Sequence, residues 1–147
     1  MKKFILLLIV CFSIFTESMA QSNDNDIKKA VNRLFDAMRN ADSLEILSSF
    51  TPDAFMQSVA TDKDGRIVVR KTQVQQFASS IGKLAKNTAD EQIVFETIKL
   101  DGDLAFAWTP YRFIFNGNYS HSGVDAFCLV KLNGEWKIQY LIDTRRK

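Results

Sequence analysis

Hydrophobic and polar positions along the chain mix helical spacing with two short strands up to about residue 90, and from Gln92 onward they read as strand throughout. Ile27, Ala30, Val31, Leu34, Phe35 and Met38 recur at helical spacing, so they predict an amphipathic helix capped by Asn25 or Asp26. Asp42 or Ser43 starts a shorter helix through Leu44, Leu47 and Phe50, ended by Thr51-Pro52. A strand over Ala54 to Val59, the turn Asp62-Lys63-Asp64-Gly65 and a strand over Arg66 to Arg70 come next, then a third helix marked by Val74, Phe77, Ile81 and Leu84. From Gln92 on, alternation predicts strands over Gln92 to Leu100, Leu104 to Phe115, Tyr119 to Leu132 and Glu135 to about Thr144. The joints are Asp101-Gly102, Asn116-Gly117 and Asn133-Gly134, each a strong two-residue hairpin signal. Helices first and an antiparallel meander last is the α+β pattern, with helices covering one sheet face.

The first twenty residues stand outside that domain. Lys2 and Lys3 precede an apolar run from Phe4 to Phe15 that is too short to span a bilayer, and Ser18-Met19-Ala20 fits a small-x-small cleavage site. Residues 1–20 therefore predict a signal peptide and residues 21–147 a single secreted or periplasmic domain, with no membrane span after cleavage. A lipid anchor at Cys11 is disfavoured because Val10 precedes it. The chain has 19 basic and 17 acidic side chains. Losing Lys2, Lys3 and Glu17 keeps it near neutral, which gives no electrostatic case for nucleic acid or an anionic membrane. Cys11 leaves with the leader, so Cys128 is alone; it forms no internal disulfide, and its apolar neighbours predict an inert strand thiol.

Uninterrupted two-residue turns set a register. It places Arg112 opposite His121, Pro110 opposite Gly123, Trp108 opposite Asp125 and Phe106 opposite Phe127. The flanking strands extend these into four rows on one face: Thr97, Phe106, Phe127, Tyr140; Phe95, Trp108, Asp125, Ile142; Ile93, Pro110, Gly123, Thr144; and Glu91, Arg112, His121, Arg146. The third row has little side-chain volume, so a hollow is expected, with Asp125 on one side and Arg112 and His121 on the other. At about 3.3 Å per residue the polar rows stand roughly 13 Å apart, which suits a small organic ligand. Asp143 and Arg145 are expected on the opposite face, which is mixed, small-sided and suited to sheet-to-sheet dimerisation.

From "VNRLFDAMRNADSLEILSSFTPDAFM" to "DGDLAFAWTPYRFIFNGNYSHSGVDAFCLVKLNGEWKIQYLIDTRR" the chain resembles the nuclear transport factor 2-like superfamily, also called SnoaL-like or cystatin-like. The second segment resembles a bacterial, often secreted branch with an aromatic-x-Pro-Tyr strand, a Ser-His-x-Gly turn and an Asp-Thr-Arg ending; some relatives are labelled putative lumazine-binding. The resemblance implies a cone-shaped, curved antiparallel sheet around the helices, an internal cavity and a homodimer. The superfamily holds isomerases, dehydratases, epoxide hydrolases and cyclases as well as non-catalytic binders, so fold alone does not assign function.

Two main readings are open. In the first, the domain holds a small amphipathic molecule in an aromatic cavity lined by Phe35, Phe95, Trp108, Phe127 and Tyr140, with Arg112, His121 and Asp125 as polar contacts. In the second, desolvated Asp125 is the general acid or base of an isomerase, dehydratase or cyclase-like reaction, with Arg112 and His121 stabilising negative charge. Structural alternatives stand beside both: Asp125 accepting core hydrogen bonds, Glu91 merely neutralising Arg112, or a pure interaction domain. A lone histidine without clustered carboxylates predicts no metal site, and no phosphate loop, serine elbow or zinc pattern implies a cofactor.

Overall fold

The computed structural model describes residues 24–146; the predicted signal peptide lies outside the described residues. Helix α1 occupies residues 24–39 and buries Ile27, Val31, Leu34, Phe35 and Met38, none more than 5% exposed. Asp42 caps α2 (Ser43–Ser49) by accepting from the Leu44 and Glu45 amides at 3.1 and 3.0 Å, a contact worth about 1 kcal/mol. The buried side of α2 is Ile46, not Leu44 and Leu47 as the spacing suggested: Leu44 is 76% exposed. One cause is visible in Arg33 of α1, which bonds Glu45 and Ser48 and fixes the rotation of the short helix.

Strand β1 (Phe50–Thr61) continues directly from α2 through Thr51-Pro52, which does not break the chain. β2 (Ile67–Gln73) pairs with it, and α3 (Val74–Ile81) buries Val74, Ala78 and Ile81. The single strand expected over Gln92 to Leu100 is two, β3 (Ala89–Ile93) and β4 (Thr97–Asp101), both paired with β5 (Leu104–Phe115). β6 (Asn118–Leu132) and β7 (Glu135–Arg146) complete a seven-stranded sheet ordered β2-β1-β7-β6-β5-β3 with β4 also on β5, in which, among the described residues, only β1 and β7 run parallel. Asn116, Gly117, Asn133 and Gly134 all have positive φ, as the tight hairpin turns require.

Between those turns the expected register fails in two places. Ser120 is extra between the pairs Ile114↔Tyr119 and Phe113↔His121, and Gln139 is extra between Cys128↔Tyr140 and Leu129↔Ile138. A bulge bends the strand and shifts the pairing beyond it by one residue, which exchanges the faces of one strand relative to its partner. The pairs are therefore Thr109↔Asp125↔Asp143 and Tyr111↔Gly123↔Arg145. Residues Ala105, Ala107, Thr109 and Tyr111 point to the helices and are 4% exposed or less. Arg112, Trp108 and Tyr140 belong to the other face, a correction to the rows expected from uninterrupted turns.

At the far end of the inner face the core is filled by Phe127, Leu129 and Ile138, all fully buried. The Phe35 ring meets Phe127 edge-on at 6.1 Å. Each such side chain contributes about 1.5–3 kcal/mol through burial. Toward the Asn116-Gly117 end the helices no longer fill the space.

Candidate functional site

There a pocket of about 240 Å³ opens between α1, α3 and the inner sheet face. Phe35, Phe77 and Phe113 supply aromatic wall, with Leu34, Met38 and Ile81 beside them. The polar end is built by β3, β5, β6 and β7, which deliver Glu91, Tyr111, His121, Asp125, Asp143 and Arg145 to one space. Asp125 is 3% exposed and Asp143 9%, whereas Glu91 is half-buried and keeps surface toward the pocket.

Glu91 and Asp125 face the same space and perturb one another's protonation. Burial, and then the neighbouring Glu91, hold the Asp125 carboxyl well above the usual range. Burial likewise pushes Glu91 up to about 7, against the opposing effect of Asp125. Two carboxyls this close cannot both ionise cheaply, so ionising one holds the proton on the other. Thr109, fully buried, donates its hydroxyl to Asp125 at 3.5 Å.

Asp143 and Arg145 form a second unit, with Nε donating to the carboxylate at 2.8 Å. Tyr111 bridges to it: its hydroxyl donates to the Thr144 carbonyl at 2.9 Å and lies 3.4 Å from Asp143. Burial pushes the Tyr111 phenol up, so it stays a donor. The Tyr111 ring covers Gly123, where an added Cβ would sit 1.8 Å from the Thr144 carbonyl oxygen and 2.7 Å from the ring. The expected glycine hollow is thus occupied by Tyr111, and the open volume lies beyond it, toward the helices. His121 stacks at 5.1 Å from Phe113, with Nδ1 3.0 Å from the Ser120 hydroxyl. Burial, then the Arg145 charge, pull its imidazole down and favour the neutral ring.

Of the residues singled out in the sequence, Phe35, His121 and Asp125 line this pocket. Phe127 lies in the filled core behind it, and Phe95 packs against the core beneath Lys28. Arg112 is exposed, stacked 5.7 Å over Tyr119 and paired in register with Gln92, so Glu91 does not neutralise it. Trp108 is 39% exposed beside Phe106. Tyr140 stacks on Phe55 and donates to Gln57 at 2.6 Å. Asp143 and Arg145, expected on the opposite face, line the pocket, and so does Tyr111, whose neighbours Pro110 and Arg112 were expected inside. Arg112 held the available signal, because a charge in mid-strand belongs outside and would have turned Tyr111 inward.

A family model described as "Putative lumazine-binding" matches residues 22–140. Solved structures share the fold at low identity. A protein of unknown function from Mycobacterium tuberculosis is 17% identical at TM-score 0.70, covering 88% of this chain and 75% of that one. A nuclear transport factor 2-like protein of unknown function from Silicibacter pomeroyi is 15% identical at TM-score 0.67, covering 86% and 98%. A cystatin-like protein of unknown function from Nostoc punctiforme is 15% identical at TM-score 0.65, covering 84% and 90%. No curated protein matches the chain.

Proposed function

Since the chain belongs to the putative lumazine-binding family, on a nuclear transport factor 2-like fold, we propose that its inner-face pocket binds a small, flat, amphipathic molecule. The observation that carries this reading is the placing of two carboxyls, Glu91 and Asp125, at the end of a pocket walled by Phe35, Phe77 and Phe113. Apolar walls with a few convergent polar groups are the usual composition of a small-molecule site. The pair offers one O–H donor and several acceptors, which suits a heterocycle edge carrying N–H and carbonyl groups, as lumazine does. Titration calorimetry with lumazine tests this: saturable binding that weakens at least tenfold in Phe77→Ala supports the pocket, and binding indifferent to that change counts against it.

A second reading makes Asp125 a general acid or base. It is favoured by the raised carboxyl in a buried setting, the condition for proton transfer near neutral pH. Under that reading Asp125→Asn leaves ligand affinity within a fewfold but abolishes turnover.

We further propose that the domain is exported with residues 1–20 removed, and that it pairs with a second copy through the outer sheet face around Phe106, Trp108 and Tyr140. Exposed apolar surface on that face supports pairing. Light scattering on the mature chain and on Trp108→Glu measures it.

A further inference from the structure

Resting on that reading of the pocket, we infer that the ligand presents a planar cationic edge with paired N–H donors, of the amidinium or aminopyrimidinium type, to the Glu91 and Asp125 carboxyls. Charges converge on the site from three strands. β3 contributes Glu91, β6 contributes Asp125 and His121, and β7 contributes Asp143 and Arg145. Arg145 is engaged by Asp143 at 2.8 Å, and Asp90, next along β3, is engaged by Arg39 at 3.1 Å. Tyr111 is a neutral donor turned toward Thr144. The helices present Leu34, Phe35 and Phe77, while β1 and β2 present Ser58 and Thr72, none of them charged.

With Arg145 paired to Asp143 and His121 held toward its neutral form, ionising the Glu91 and Asp125 pair leaves one negative charge without a counter-ion. Among the described residues no lysine or arginine forms a salt bridge with Glu91 or Asp125, and the only protein hydroxyl that reaches Asp125 is Thr109 at 3.5 Å. A carboxyl 3% exposed that faces the pocket, with Thr109 as its one hydroxyl donor, keeps acceptor capacity for a ligand's N–H groups. A ligand that fills the pocket also expels the water that solvates this charge, so a neutral ligand would leave it buried and uncompensated. A planar cation with two adjacent N–H groups compensates that charge. One carboxylate is ionised and accepts a charge-assisted hydrogen bond, while the other keeps its proton and accepts the second N–H on its carbonyl oxygen. The further proton that the pair carries below about pH 7 leaves to solvent, and the cation's ring lies between the Phe walls.

Calorimetry with benzamidine, its neutral isostere benzamide, and lumazine tests this at pH 5, 6 and 7 in buffers of different ionisation enthalpy. Benzamidine is expected to bind with release of about one proton, tightening about tenfold per pH unit over that range, and to exceed benzamide at least tenfold. Glu91→Gln should abolish the proton release; if that variant does not fold, the proton count on the wild-type protein decides alone. Benzamide or lumazine binding as tightly as benzamidine, with affinity rising as pH falls, overturns the cationic ligand and leaves the pocket standing. Failure of all three to bind overturns the pocket reading and this inference with it.

Discussion

The two faces of the β5–β6–β7 sheet are built from equally apolar strands, yet they do different work. The inner face carries Thr109, Tyr111, Asp125 and Asp143, each 9% exposed or less, and spends its polar groups on one another. The outer face carries Arg112, Trp108 and Tyr140, which contact neighbours on an open surface. The faces are separated not by hydrophobicity but by two single-residue bulges, at Ser120 and Gln139. A chemically ordinary strand acquires a polar pocket because its register is reset just before the pocket begins.

The largest effects should come from the inner face. Gly123→Ala forces a Cβ into the Thr144 carbonyl and the Tyr111 ring, a clash against backbone that cannot be relieved by a rotamer change. Thermal or urea unfolding should show a loss of about 3 kcal/mol or more. Phe127→Ala, which empties a fully buried ring position, should cost about 3–5 kcal/mol in the same assay.

Next in size is the pH dependence of stability. A carboxyl with a raised pKa keeps its proton in the fold when the unfolded chain has already released it. Stability from Glu91 is therefore complete below about pH 4.5 and is lost as pH rises through about 7. Discounted for solvent in the pocket, the fall should be on the order of 1–2 kcal/mol. The double variant Glu91→Gln, Asp125→Asn should flatten it. A profile that rises across this window would separate the pair from the inner face's energetics. His121 acts with the opposite sign, since its lowered pKa removes stability as pH falls through about 6.5.

Tyr111→Phe deletes one hydrogen bond to Thr144 and should cost about 1 kcal/mol. The smallest effect belongs outside: Arg112→Ala removes an exposed stack on Tyr119 and should change stability by less than about 0.5 kcal/mol. A comparable loss at Arg112 and Tyr111 would erase the distinction between the faces.

The order of elements was readable because caps, turns and periodicity agree: Asp42 before α2, Asn-Gly at two hairpins, and Ile27 to Met38 along one helix face. The bulges were not, for β5 reads Ala-Phe-Ala-Trp-Thr-Pro-Tyr-Arg-Phe-Ile-Phe, with bulky or aromatic side chains on both faces, so alternation cannot say which face is inside. His121 and Asp125 were found together because they share β6 and its parity, which no slip against a neighbour can break. Asp143, Arg145 and Tyr111 were lost because their faces depended on pairing across Ser120 and Gln139. Leu44 and Leu47 misled for another reason: a seven-residue helix takes its rotation from tertiary contacts such as Arg33 to Glu45.

The most direct test of the pocket's chemistry is a carbon-13 NMR titration of the side-chain carboxyls, assigned through Glu91→Gln and Asp125→Asn. A carboxyl of this pair that stays protonated to about pH 7, with the remaining partner shifting when either residue is replaced, is the expected result. Both carboxyls fully ionised by pH 5, each indifferent to loss of the other, would contradict the retained proton on which the ligand chemistry depends.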